Sequence, residues 1–191
     1  MLPLNDHAPH VSVLYNEIIL ALRPESPGRY IDATVGAGGH AWGILKASAP
    51  NGQLLGFDLD PQALEIANQR LDVYAGRYIL RQASYTTLLE AMRHIGWESV
   101  HGILLDLGVS SMEFDTPLRG FSLMHDGPLD MRFSPQASLT AADIVNAYDE
   151  ADLADLLWRY GEEQQSRRIA RAILQARPIT RTLQLADVIL R

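Results

Sequence analysis

A glycine-rich segment, D-A-T-V-G-A-G-G-H from Asp32 to His40, holds the residues whose types and spacing point most directly to chemistry. It follows the β-prone pair Tyr30-Ile31 and precedes A-W-G-I-L, which can begin a helix. Because Gly36, Gly38 and Gly39 lack a Cβ atom, the backbone can turn sharply and approach a ligand closely. The free N–H groups of the following helix then face an anionic or polar group. This order of elements predicts a cradle for a nucleotide-like ligand.

Two ligand classes fit the loop. Its letters G-A-G-G-H-A match the dinucleotide pattern G-x-G-x-x-G/A, which is weak evidence by itself. Asp32, four residues before Gly36, gives the spacing D-x-x-x-G-x-G, which resembles the first motif of S-adenosylmethionine-dependent methyltransferases. Asp58 follows the apolar run L-L-G-F and is expected to accept hydrogen bonds from two ribose hydroxyls, which both ligands have. A tight connection without any ligand is a third interpretation, which the two acids make the weakest.

The flanking sequence predicts an α/β fold in which strands and helices alternate. We expect strands at 30–34, 53–57, 77–81 and 101–105 and helices at 15–22, about 41–47, about 61–71 and 84–95. A parallel sheet covered on both faces, as in a Rossmann-like methyltransferase, satisfies this order. Ligands bind beyond the carboxyl ends of such strands, so we expect the glycine loop, Asp58, Tyr85 and Asp106 around one crevice.

The pattern changes after Asp106. Residues 107–135 are expected to form a loop, and helical patterns follow at 141–148, 150–160, 166–177 and 182–190. We therefore predict a core at 1–111, an active-site loop at 112–135 and an inserted helical domain at 136–191. Because a doubly wound sheet usually has more than four strands, we expect a truncated chain that lacks the remaining core strands and exposes a sheet edge.

Composition narrows the functional class. Hydrophobic residues make up 47% and charged residues 20% of the 191 residues, as in an ordinary globular domain. The N-terminal segment lacks the regions of a signal peptide and no apolar run could span a bilayer, so we expect a cytoplasmic protein with no membrane partner. The absence of cysteine excludes disulfides and thiolate metal sites, and the six histidines lack metal-ligand spacing, so no metal is expected. Nothing in the sequence specifies an oligomeric state.

The net charge of −7 is unevenly distributed, because residues 159–191 carry seven basic and three acidic residues. Arg167, Arg168 and Arg171 share roughly one helical face and are candidates for contact with RNA phosphates. On charge alone, a solvated helix face explains this segment equally well. An opposing acidic face, expected to avoid RNA, consists of Asp143, Asp149, Glu150, Asp152 and Asp155.

Several ordered motifs then point to one family. They read T-V-G-A-G-G-H, G-F-D-L-D-P-Q-A-L, G-I-L-L-D-L-G-V-S-S, R-G-F-S-L-M-H-D-G-P-L-D-M-R-F, Y-G-E-E with R-R-I-A-R-A-I, and P-I-T-R-T-L-Q-L-A. From His10 to about Ile189 the chain resembles the bacterial 16S ribosomal RNA cytosine-N(4)-methyltransferases, the MraW/RsmH family. A dinucleotide dehydrogenase explains only the first two motifs.

The resemblance implies S-adenosylmethionine as the methyl donor and a cytidine in the decoding centre of 16S ribosomal RNA, free or in the small ribosomal subunit, as the acceptor. It implies cofactor contacts at Gly38, Gly39, His40, Asp58, Tyr85, Asp106 and Glu113. Two of these positions depart from the family. Tyr85 replaces a phenylalanine and keeps an aromatic ring for adenine. Glu113 replaces a glutamine and loses its amide donor.

The chemistry of the reaction assigns further roles. The exocyclic amine of cytosine is a poor nucleophile, so an acceptor beside it would raise its reactivity and fix its geometry. Asp106 is the candidate for that acceptor, and Ser110 and Ser111 are candidates to assist it. A paired or stacked base must also be swung out, at a cost of a few kcal/mol.

The 119–133 segment is expected to border the target base. Arg119, Phe121 and Arg132 combine guanidinium groups with an aromatic ring, which suits a phosphate and a base face. The competing interpretation is a structured Ω-like loop in which Asp130 and Arg132 pair internally, and without the resemblance we would favour it.

Two alternatives to a methyltransferase stay open from the sequence. The first is a truncated, catalytically silent domain of the same family that binds only cofactor or RNA. The second is a nicotinamide oxidoreductase, which rests on the glycine loop and Asp58 and lacks an identifiable hydride-transfer residue.

Overall fold

The computed structural model describes residues 12–191, and the chain divides into two compact units. The first unit ends at Gly108 and the second extends from Val109 to Arg191. The start of the family resemblance, at His10, and the segment over which no signal peptide is expected lie outside the described residues. Among residues 12–191, no helix combines the length and apolar character that a membrane span requires.

The first unit alternates helices and strands as predicted. Its elements are α1 (Tyr15–Leu22), β1 (Arg29–Asp32), α2 (Gly39–Ala47), β2 (Gln53–Asp58), α3 (Pro61–Leu71), β3 (Tyr78–Gln82), α4 (Leu88–His94) and β4 (Gly102–Leu104). The predicted limits of α1 are confirmed. Asp60 caps α3 as expected, because its carboxylate accepts the Gln62 N–H at 2.9 Å. The expected helix at 84–95 instead begins with a 3₁₀ turn, Tyr85–Thr87, before α4.

The four strands form one parallel sheet in the order β3-β2-β1-β4. Ile31 in β1 lies opposite both Leu55 in β2 and Ile103 in β4. The order reverses direction at β1, because β2 continues on one side of it and β4 on the other. In open α/β sheets such a reversal creates a ligand crevice at the carboxyl ends of the strands. The predicted Rossmann-like α/β fold is confirmed.

Apolar side chains cover both faces of this sheet. Tyr30 and Leu54 belong to one buried cluster with α2, whereas Ile31 and Leu55, one residue later in each strand, belong to another with Met92. The alternation follows from the two-residue period of a strand, and it explains why the strands are almost continuously hydrophobic.

Strand β4 lies at the edge of the sheet, although its composition is that of a strand with neighbours on both sides. Its Ile103 is 43% exposed and the adjacent Leu105 is 46% exposed. Large apolar side chains at an open edge are unfavourable in water and favour association.

The second unit is helical. It contains α5 (Ser111–Asp115), α6 (Ala141–Ala147), α7 (Glu150–Gly161), α8 (Ser166–Ala176) and α9 (Thr182–Leu190). Its core includes Val145, Leu153 and Ile173, one residue from each of α6, α7 and α8. Thr140 begins α6 with a capping box, in which its hydroxyl and the Asp143 carboxylate satisfy each other's backbone N–H groups.

Two motif segments that are distant in sequence pair with each other in this unit. The Thr182 N–H donates to the Gly127 carbonyl at 2.9 Å, and the Leu129 N–H donates to the Thr180 carbonyl at 3.0 Å. The letters G-P-L-D and T-R-T therefore form a short antiparallel contact around a bridge between Pro128 and Arg181. This pairing ties the start of α9 to the loop that precedes α6.

The expectation of a loop over 107–135 is wrong in its first half. Helix α5 lies within it, and a 3₁₀ turn follows at Pro117–Arg119. The sequence S-S-M-E explains the start of this helix, because Ser110 and Glu113 form a capping box of the S-x-x-E type.

Asn146 supplies a test of the helical unit. Its amide donates to the Ile179 carbonyl at 2.7 Å and accepts the Ile179 N–H at 2.8 Å. The change Asn146→Ala should lower the free energy of unfolding by about 2–3 kcal/mol, because it leaves both backbone groups of buried Ile179 unsatisfied. Urea denaturation measures the loss, with exposed Gln175→Ala as the control. Equal stability of the two variants would contradict this role.

Candidate cofactor and nucleic-acid sites

Three carboxylates follow three neighbouring strands of the first unit. Asp32 ends β1, Asp58 ends β2, and Asp106 follows β4 by two residues. The strands are parallel, so all three acids lie at the carboxyl edge of the sheet. Thr34 joins two of these strand ends, because its hydroxyl accepts the Asp106 N–H at 2.8 Å.

Asp32 is fully buried and only half satisfied. Its Oδ1 accepts the Thr34 N–H at 3.2 Å, whereas its Oδ2 has no hydrogen-bond partner among the described residues. The pKa of Asp32 is raised to about 7, chiefly by burial and also by the charges of Asp58 and Asp106, against the opposing Thr34 hydrogen bond. An unpaired buried carboxyl group among other acids is a binding point for a cation or a hydrogen-bond donor.

Asp58 closes the glycine loop. Its Oδ2 accepts the Gly36 N–H at 2.7 Å and its Oδ1 accepts the Asp60 N–H at 2.9 Å. A carboxylate has about four acceptor positions, so these two bonds leave capacity for the predicted ribose hydroxyls. The side chain therefore combines a bracing role, which the sequence interpretation missed, with the predicted binding role, which stays a prediction.

The glycines of this loop are required by its backbone and its neighbours. Gly36 and Gly38 have φ angles of +51° and +78°, which favour glycine. A Cβ atom on Gly38 would lie 3.1 Å from Cα of Ala67. Among the described residues, no side chain caps the start of α2 after Gly38, so N–H groups of the first turn are left to bind another acceptor.

His40 lies in the first turn of α2 and is buried. The Val13 carbonyl lies 3.0 Å from its Nε2 and can only accept, so Nε2 carries the proton. The Tyr15 ring stacks on the imidazole at a centroid distance of 6.2 Å. The other nitrogen, Nδ1, lies 3.9 Å from the Asp106 carboxylate, too far for a hydrogen bond but close enough for attraction if the ring is protonated.

Two predicted cofactor residues are accessible. Tyr85 begins the 3₁₀ turn after β3 and is 39% exposed, and the Asp106 side chain is 48% exposed. The first unit therefore brings Asp32, the loop, Asp58, Tyr85 and Asp106 to one edge, as expected. Within the described residues, no cluster of histidine, aspartate and glutamate could hold a metal ion.

The predicted residues Ser110, Ser111 and Glu113 belong to the second unit. The Ser110 hydroxyl donates to Glu113 Oε2 at 2.9 Å and accepts the Glu113 N–H at 3.2 Å, so it is engaged in the cap of α5. Ser111 begins α5, and its side chain lies outside the described part of the structure. Buried Glu113 also places Oε1 3.6 Å from the Arg119 guanidinium. The catalytic roles of the serines stay predictions.

The three predicted RNA contacts of the loop are engaged within the second unit. Arg132 forms the internal ion pair with Asp130 that the competing interpretation expects, at 2.7 Å. Arg119 donates to two backbone carbonyls, and Phe121 is 9% exposed. The exposed aromatic beside Phe121 is Phe133, which the sequence interpretation did not select. The signal that could have identified Phe133 is its position two residues after Met131 in an otherwise polar segment.

The three arginines of α8 differ from one another. Arg171 binds Glu150 at 3.0 Å, so the predicted basic and acidic faces meet at this ion pair. Arg168 donates to the Gln165 side chain at 2.7 Å. Arg167 is exposed and makes no hydrogen bond or ion pair within residues 12–191, so it is the most accessible of the predicted phosphate contacts.

The pH dependence of stability tests the description of Asp32. Its pKa rises from 3.8 to about 7 on folding, so between these values the folded state holds a proton that the unfolded chain has lost. Stability should therefore fall as the pH rises from about 4 to 7, by an amount on the order of 4 kcal/mol, and then level off. Asp32→Asn should remove most of this fall. Urea denaturation at pH 5 and pH 8 measures it, with exposed Asp187→Asn as control. Parallel pH profiles of Asp32→Asn and the native chain would contradict the burial of an unpaired carboxyl group.

Comparisons with known proteins agree with these features. The chain is 50% identical over 181 residues to the ribosomal RNA small subunit methyltransferase H of Dehalococcoides mccartyi, covering 95% of this chain and 52% of that relative. It is 48% identical over 183 residues to the protein of the same name from Geotalea uraniireducens, covering 94% and 59%. The chain thus spans little more than half the length of these relatives.

A solved structure described as an rRNA methylase from Streptococcus thermophilus is 24% identical, with a TM-score of 0.39, and covers 49% of this chain and 52% of that one. The fold assignment rests on the strand order of the chain itself. A model of the MraW methylase family matches residues 7–191, so almost the whole chain is covered. This match leaves no support for the oxidoreductase alternative. The chain belongs to the MraW methylase family.

Proposed function

We propose that this chain binds S-adenosylmethionine in its first unit and belongs to an enzyme that methylates the N(4) amine of a cytidine in 16S ribosomal RNA. The observation that carries the proposal is Asp32, whose buried Oδ2 has no hydrogen-bond partner among the described residues. Family membership supplies the reaction. The names of the relatives, which refer to the small ribosomal subunit, supply the substrate.

The residues at the sheet edge fit this cofactor. The unpaired oxygen of Asp32 suits a cationic ligand that carries an ammonium group. A site for a nicotinamide dinucleotide would not need such a carboxylate. Asp58 retains acceptor positions for ribose hydroxyls, and exposed Tyr85 offers a ring for adenine. When bound, S-adenosylmethionine supplies a methyl group activated by the sulfonium. Glu113, at a family cofactor position, is a weaker candidate because both of its oxygens already face groups of its own unit.

Asp106 is the group we propose to act on the base. Its carboxylate is exposed, while its own N–H is fixed by the Thr34 hydroxyl at 2.8 Å. It accepts a hydrogen bond from the exocyclic amine, orients the nitrogen lone pair and takes up the proton released on methylation. His40 lies beside this carboxylate, with Nδ1 3.9 Å from Asp106 Oδ2.

The RNA partner is proposed to meet the second unit. Arg167 is exposed and unpaired within the described residues, which supports a phosphate contact. We retain the division into a core at 1–111, an active-site loop at 112–135 and a helical domain at 136–191 as part of this proposal. The open edge of β4, with its exposed Ile103, supports a larger sheet in the complete enzyme. A cytoplasmic location follows from a ribosomal substrate.

A catalytically silent binding domain is the second candidate. This candidate shares the cofactor site and differs only in the absence of methyl transfer.

Cofactor binding is tested by calorimetric titration of the purified chain with S-adenosylhomocysteine, with NADH as the control ligand. We expect saturable binding of the first ligand and none of the second. Asp58→Ala should abolish it, because the change removes the ribose acceptor and the brace of Gly36. Exposed Asp72→Ala is the matched control. Binding that survives in Asp58→Ala, or binding of NADH alone, would contradict the site.

Methyl transfer is tested with radiolabelled S-adenosylmethionine and small-subunit RNA. Asp106→Asn should lower the rate at least about a hundredfold, because the amide cannot take up the proton. S-adenosylhomocysteine should still bind, because the amide keeps a hydrogen-bond acceptor at this cofactor position. Binding without transfer by the native chain identifies the silent domain, and an unchanged rate in Asp106→Asn contradicts the role of Asp106.

A further inference from the structure

Met131 and Phe133 are large apolar side chains that the second unit leaves exposed, by 47% and 44%. Met131 also has a positive φ of +58°, a conformation that an unbranched but bulky residue adopts only at a cost on the order of 1 kcal/mol. Such strain persists only where the surrounding structure imposes it. The neighbours of this segment therefore indicate what it is held in place to do.

Arg119 is the main brace of the segment. Its Nη2 donates to the carbonyls of Arg132 and Phe133 at 3.0 and 2.9 Å, and its own carbonyl accepts the Met131 N–H at 3.0 Å. Glu113, whose side chain is 8% exposed, holds the guanidinium from α5 at 3.6 Å. Arg119 thus holds three successive residues, Arg132 and Phe133 through its side chain and Met131 through its backbone carbonyl.

Arg132 is committed in the same way. It donates to both oxygens of Asp130 and to the carbonyls of Pro135 and Ala137. The Arg132 guanidinium holds the pKa of Asp130 below its ordinary value, so the pair is charged at neutral pH. With both guanidinium groups bound within the second unit, the most exposed side chains of residues 131–133 are the apolar ones of Met131 and Phe133.

Phe133 packs against one buried aromatic ring and is otherwise partly exposed. Its ring lies 5.3 Å from the ring of Phe121 at an angle of 46°, and the residue is 44% exposed. A fixed and partly exposed aromatic ring is the kind of group on which unpaired bases stack. An uncharged surface of this kind suits a base face better than a phosphate.

We propose that Phe133, with Met131, contacts an unpaired pyrimidine base of the RNA, and that Arg119 is a positioning residue held by Glu113. The inference rests on the proposed function and gives it a base-binding surface. It moves base contact from Phe121 to Phe133 and reassigns Arg119 from phosphate contact to support.

Affinity for a cytidine-containing single-stranded RNA oligonucleotide tests the base contact. Phe133→Leu should weaken binding about tenfold, whereas Phe133→Tyr, which keeps the ring, should bind as the native chain does. Phe114→Leu is the matched control, because Phe114 in α5 is 45% exposed. Native affinity in Phe133→Leu, or an equal loss in Phe114→Leu, overturns the proposal.

Hydrogen exchange and salt dependence test Arg119. In Arg119→Gln the amides at 131–133 should exchange faster, and the slope of log affinity against log salt should not change. A phosphate contact would instead lower that slope by about one and leave exchange unchanged, and this result overturns the positioning role.

Two controls keep the outcomes separate. Unchanged exchange at Met131 in Phe133→Leu shows that its weaker binding is a loss of base contact, whereas faster exchange there overturns that assignment. If the native chain binds no RNA, the proposed function fails at its RNA step, and the base contact fails with it. The exchange experiment on Arg119 needs no RNA and decides its positioning role independently.

Discussion

The carboxyl group of Asp32 is a buried charge site with one oxygen unsatisfied. Burying such a group costs free energy, and the pKa near 7 expresses that cost as a readiness to hold a proton. Among the described residues no hydrogen-bond donor reaches Oδ2, and the charges of Asp58 and Asp106 raise the pKa of Asp32. A ligand with a positive charge would stabilise the charged form of Asp32, and the proposed cofactor carries such a charge.

The sheet order explains why the acids meet. Strands β2 and β4 both flank β1, so residues far apart in the chain end at one edge. In the second unit, which is helical, distant segments are instead joined by arginine side chains that donate hydrogen bonds to backbone carbonyls. Arg119 holds the carbonyls of 132 and 133, and Arg177 donates to the Val145 carbonyl at 2.7 Å near the end of α6. Some arginines of this chain therefore stabilise the fold, so positive charge alone is weak evidence for RNA contact.

Much of the fold followed from short-range rules. The alternation of apolar runs predicted the parallel sheet, and Asp60-Pro61 predicted the start of α3. The acids after the strands were predictable because strand ends share an edge. What the sequence could not supply was the partner of each polar group. Whether Arg119 faces RNA or the carbonyl of Phe133 depends on a chain path that residue types do not encode. The S-x-x-E pattern at Ser110 indicates the start of α5, whereas the surrounding glycines and prolines favour a loop.

NMR of the Asp32 carboxyl carbon as a function of pH tests most directly whether this group is buried, unpaired and bound by a cationic cofactor. In the free chain it should titrate near pH 7, because the group is buried and unpaired. Saturation with S-adenosylmethionine should lower that pKa, since a cationic ligand favours the charged carboxylate. A free-state pKa near 4, or a titration that the ligand leaves unchanged, would contradict the account.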